Sequence, residues 1–155
     1  MHIAAVLPTR RQLLVHGGRS GDELLPDVRI LCLRTWSWTS MVVSASCRRV
    51  GHAAGLLRAP APREAPTTEE DGETGAAGAE AKLVLFGGFS GEAFCGDVWS
   101  CSPARAEFDL LPTRAAPAAR FAHCVATLDD RLFVFGGSAA ERELDDLAEV
   151  RLPVA

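Results

Sequence analysis

Short runs of β-forming apolar residues alternate along the chain with clusters of glycine, proline, serine and acidic residues. Three of the runs end in a double glycine: LLVHGG closes at Gly17 and Gly18, LVLFGG at Gly87 and Gly88, and LFVFGG at Gly136 and Gly137. An apolar run of this length bounded by turn residues predicts a strand buried on both faces. Nine residues after each second glycine stands an aspartate, Asp27, Asp97 and Asp146, each followed by an apolar residue, Val28, Val98 and Leu147. Asp27 to Trp38 and Asp97 to Phe108 are both eleven residues, so a large aromatic recurs at one place. Upstream, Arg49 with His52 and Arg120 with His123 share an Arg-x-x-His spacing, and the first unit begins at His2 without its arginine.

The second and third double glycines lie 49 residues apart and the first and second 70; His52 lies 35 before Gly87 and His123 only 13 before Gly136, and the insertion at 59–81 accounts for that excess of 22, since 70 − 22 = 48. That run is rich in Pro, Ala, Gly and acids and holds too little apolar surface to order itself. A repeat at a fixed period decides the architecture. It divides the chain into 1–46, 47–116 with the insertion, and 117–155, the last lacking a fourth strand. A complete unit predicts four strands. The first follows the histidine (HIAAVL, HAAGLL, HCVATL), where small residues suit a crowded inner position. The second runs into the paired glycines, which fit a turn needing positive φ or close backbone approach. The third follows the aspartate, and the fourth carries the aromatic (WSWTSM, EFDLLP).

Taken together, Arg-x-x-His, an apolar strand, Gly-Gly, a polar turn with Asp, a strand and a final aromatic resemble the kelch repeat. The likeness covers the whole chain apart from the insertion. It implies an all-β fold, a β-propeller segment of about three four-stranded antiparallel blades. It also implies a structural role for the glycines, Arg49, His52, Arg120, His123, the three aspartates, Trp38 and Phe108. Phe108 stands where the pattern has Trp, and the tyrosine usual in the third strand is missing throughout. A closed propeller typically has about four to eight blades. The expected state is therefore a piece of a longer propeller, or several chains completing one ring and self-associating through open blade edges.

Charge narrows the partners. The 155 residues carry a net charge of −4, of which 59–81 holds −5 (six acids and Arg63), leaving a nearly neutral body. Such a body offers no footprint for nucleic acid or an anionic membrane. No apolar stretch approaches a membrane span, and the N-terminus does not read as a signal peptide. Five cysteines without a CxxC pair point to reduced thiols, hence a cytoplasmic or nuclear setting, and to no zinc site. The abundance of Ala (25) and of Arg (15) beside a single Lys carries no function.

No catalytic, metal or cofactor constellation stands out. The glycines belong to no phosphate-binding pattern, and a site is rarely built three times over, so the Arg-x-x-His pairs read as structural. His16 fills the slot of Phe86 and Phe135 and reads as packing, while Trp36, Trp38, Trp99 and Phe108 read as core between units. Kelch propellers hold partners on loops between second and third strands, and rigid scaffolds display binding residues there. Those loops place Arg19, Ser20, Phe89, Ser90, Phe94, Ser138 and Arg142 as the candidate face for a partner protein. The expected function is a non-catalytic interaction scaffold. The alternatives are part of a larger enzyme or of a substrate-recruiting ubiquitin-ligase subunit, and a truncated chain without independent function.

Overall fold

The computed structural model describes residues 1–41, 47–57, 82–102, 107–113, 116–128 and 131–151, and the regular structure in them is all-β apart from one 3-10 turn. The longer strands form where the sequence alternates or runs apolar, and β-turn residues stop several of them, at Pro8, Gly17, Gly87 and Gly136. β1 (Ile3–Leu7), β2 (Gln12–His16), β5 (Val28–Cys32) and β6 (Ser37–Met41) make a first antiparallel sheet in that order. A 3-10 turn at Pro8–Arg10 joins its first two strands. β3 (Arg19–Ser20) and β4 (Glu23–Leu24) form a small hairpin between β2 and β5.

The second sheet repeats the arrangement with β7 (Ala53–Leu57), β8 (Lys82–Phe86), β9 (Val98–Ser102) and β10 (Glu107–Leu111). Leu57 pairs with Lys82, so the strands flanking 59–81 close directly on one another; the insertion itself lies outside the described residues. The third sheet has β11 (Cys124–Leu128), β12 (Arg131–Phe135) and β15 (Leu147–Arg151), with a second small hairpin of β13 (Ser138–Ala139) and β14 (Arg142–Glu143).

The sheets pack face to face, which follows from the two-residue period of a strand. In β2, Leu14 and His16 turn toward the second sheet; in β8, Leu83 and Leu85 meet them while Val84 and Phe86 face the third. The first interface gathers Leu7, Leu14, Val28, Ile30, Leu83, Leu85, Cys101 and Phe108, all buried. The second gathers Leu57, Val84, Phe86, Val98, Leu132, Val134 and Val150. Each fully buried side chain of this size contributes roughly 1.5–3 kcal/mol, so these two layers hold the stack. The first strands meet along one side, β7 between β1 and β11. There Gly55 is needed, because a Cβ would collide with the Thr127 methyl.

The aromatic reading needs correction at two positions. Phe108 is 7% exposed and packs in the first interface, but its equivalent Trp38 is 54% exposed. Trp38 pairs with Leu31 across β5 and β6 as Phe108 pairs with Cys101, and among the described residues no sheet packs over that face. Trp36 is not a strand residue: it sits in the β5–β6 turn at φ 56, and is exposed. Trp99 is partly buried against the first interface.

Candidate functional site

Two constructions arise from the repeated residues: a joint that recurs from sheet to sheet, and a rim of loops beside it. The joint starts from the segment before each first strand. Arg49 sends its guanidinium to the Gly87 carbonyl (2.9 Å) and forks onto both Asp97 oxygens (2.8 and 3.0 Å). Arg120 repeats this with the Gly136 carbonyl (3.1 Å) and Asp146 (2.6 and 2.9 Å). The planar guanidinium suits this bidentate geometry. Asp27 has no such arginine among the described residues and is held instead by the exposed Arg29 at 2.8 Å.

The paired glycines knit one sheet to the next. The Gly18 N–H donates to the Arg49 carbonyl (3.1 Å) and the Gly88 N–H to the Arg120 carbonyl (2.8 Å). A Cβ on Gly87, at φ +67, would stand 2.7 Å from both the Arg120 carbonyl and the His123 ring. The histidines cap the preceding sheet. His52 lies edge-on to His16 with ring centres 5.0 Å apart, and His123 to Phe86 at 5.2 Å. One nitrogen of each ring in the first pair shares a hydrogen bond of 3.1 Å.

These environments fix the charges. Burial, then the Arg120 guanidinium, pushes His123 down to about 4. Burial and the neighbouring Arg49 likewise keep His16 and His52 neutral well below the ordinary histidine range. Burial alone would raise the Asp97 carboxyl, but the Arg49 fork and the Trp99 indole hold it below its ordinary value. For Asp146 the Arg120 hydrogen bonds lower it outright. With its arginines closed onto carboxylates and its histidines buried and neutral, the joint presents no poised acid, base or nucleophile. Among the described residues, no group of three His, Cys, Asp or Glu side chains is placed to hold a metal ion.

The rim is built by the connections between second and third strands. The Phe89 and Val50 backbones pair, and Phe89 also bridges to Phe94, closing the middle loop on itself. The Phe89 and Phe94 rings are 5.5 Å apart, and Phe94 stacks on Phe121 at 5.1 Å and 18°. Phe121 in turn pairs with Ser138, at the base of the β13–β14 hairpin. On the other side, Gly91 approaches the Leu24 side chain of the β3–β4 hairpin. The three connections thus adjoin along one rim, with half-buried aromatics in the middle and exposed Arg19, Ser20 and Arg142 on the flanking hairpins.

Of the seven loop candidates, the fold unites Phe89 and Phe94. Ser90 and Ser138 spend their hydroxyls locally: Ser90 bonds Glu92 and Ala93 within its own turn, and Ser138 donates to the Ala139 carbonyl. Arg19 and Arg142 stand on separate hairpins. Phe121 escaped the sequence reading because it lies inside Arg-x-x-His rather than in a loop; its position next to the stretch that pairs with the loop was the available signal. No helix among the described residues is long and apolar enough to cross a membrane. No family model matches the chain, and no curated protein matches it either.

Proposed function

We propose that the chain is a kelch-type β-propeller segment that acts as a non-catalytic protein-interaction scaffold, its partner held by the loops between second and third strands. The observation that carries this reading is the Phe89, Phe94 and Phe121 cluster at the rim, framed by hairpins bearing Arg19 and Arg142. Aromatic anchors beside arginine are the residue types that dominate the energy of protein interfaces. Rigid sheets behind such a rim lower the ordering cost of binding. The closed chemistry of the Arg and His joint supports a scaffold over an enzyme within these residues.

The test is affinity capture with the intact chain and with the Arg19→Glu/Arg142→Glu double variant, after circular dichroism has shown the same β signal for both. A protein retained by the wild type and lost by the variant supports the reading. A protein retained equally by both, or none retained by either, counts against the rim.

A further inference from the structure

The three sheets are equivalent in sequence, so each position can be compared with its own counterparts, and the comparison isolates two open faces. On the side that turns toward the following sheet, Leu7 and Leu57 are each 4% exposed, and their counterpart Leu128 is 55%. His16 and Phe86 are 1% and 0% exposed, and Phe135 is 55%. Val28 and Val98 are both 0% exposed, and Leu147 is 67%. Three positions that are core in two sheets are therefore apolar surface in the third: Phe135 and Leu147 are paired neighbours at one end of the sheet, and Leu128 stands at the other end, opposite Arg131. The opposite face of the first sheet is the mirror case. Trp38, Val6 and His2 lie open there, where Phe108 and His52 are buried in the second sheet.

These two faces are the two halves of a contact the molecule already makes. His16 receives the His52 ring at 5.0 Å and the Phe108 ring at 5.1 Å. Phe135 occupies the His16 position, His2 the His52 position and Trp38 the Phe108 position. We propose that the exposed face of the third sheet binds the exposed face of the first sheet of a second copy of this chain, head to tail, with Phe135 seated under His2 and Trp38 of that copy. The contact is heterologous, so copies join into a ring if the rotation closes and into a longer chain if it does not.

A contact between separate copies appears as a concentration-dependent equilibrium. It involves the sheet faces and not the loop rim, so it stands or falls apart from the interaction reading above.

Light scattering coupled to size exclusion, run on the full chain over a concentration series, tests it. The wild type is expected to rise from 16.5 kDa to at least twice that mass. Phe135→Glu and Trp38→Glu change exposed residues and leave the β signal intact; each weakens association at least about tenfold, the loss of one interface anchor. The two variants mixed keep one good face each and are expected to form a species of two chains and no larger. Wild type that stays at the monomer mass throughout overturns the proposal. So does association that both variants preserve, or a mixture that remains monomeric.

Discussion

At the residue scale the paired glycines and the arginine of each joint do different work, and substitution separates them. Gly88 sits at φ +100 with His52 Cβ and the Val50 carbonyl 2.9 Å from where a Cβ would be, whereas Gly21, at φ +57, has open space. Gly88→Val is expected to cost about 3 kcal/mol or more through strain and collision. Gly21→Ala should cost about 1–2 kcal/mol, the left-handed backbone alone. Denaturant midpoints compare the two, and equal losses would contradict the close approach at Gly88. Arg120 is buried, with its charge spread over Asp146 and the Gly136 carbonyl. Arg120→Met is expected to cost about 1–3 kcal/mol, because it leaves the buried Gly136 carbonyl without its donor while the half-exposed Asp146 returns to water. Arg29→Ala removes an exposed pair with Asp27 and should cost under about 1 kcal/mol.

The buried histidines give the fold a pH dependence of definite sign. His16, His52 and His123 titrate below the ordinary value when folded, so the unfolded chain binds more protons as pH falls below about 6.5. Their contribution is complete above that value and is lost progressively toward the folded value of about 4 for His123. The denaturant midpoint is expected to drop between pH 7 and pH 5. His123→Phe, which keeps an aromatic edge against Phe86, should make the drop shallower, and an unchanged slope would show that His123 is not held neutral.

At the element scale, strand length and turn chemistry were legible from one chain. The runs into Gly17, Gly87 and Gly136 are β2, β8 and β12, and the runs after Asp27, Asp97 and Asp146 are β5, β9 and β15. Local pattern suffices there because a short apolar run bounded by turn residues has few other states. The pairing of Arg49 with Asp97 joins residues 48 positions apart, and only the repetition of their spacing hinted at it. Trp38 could not be read correctly: its burial depends on a neighbouring sheet, not on its own strand. The aromatic cluster was half legible, since Phe89 and Phe94 are local and Phe121 comes from the next sheet. The Leu57–Lys82 pairing also makes the insertion separable. Replacing 59–81 by a short turn is expected to change stability by under about 1 kcal/mol, as loop length enters only logarithmically. Loss of the β circular dichroism signal would show that the sheet needs those residues.

For the whole molecule, stability lies in two apolar layers between three sheets, and the Gly-Gly and Arg-x-x-His segments set how each sheet meets the next. The first histidine-bearing strands run along one side and the loop rim lies beside the joints, so the rim is held by the same contacts. The open faces at the two ends follow from the same repetition. Backbone hydrogen bonds that cross from sheet to sheet report this arrangement. The most direct measurement is therefore through-hydrogen-bond scalar coupling by NMR on the isotope-labelled chain. Coupling from the Gly18 N–H to the Arg49 carbonyl and from the Gly88 N–H to the Arg120 carbonyl is the predicted result. Absence of both couplings, with the two amides exchanging as fast as in an unfolded chain, would contradict the joint and with it the stacked arrangement.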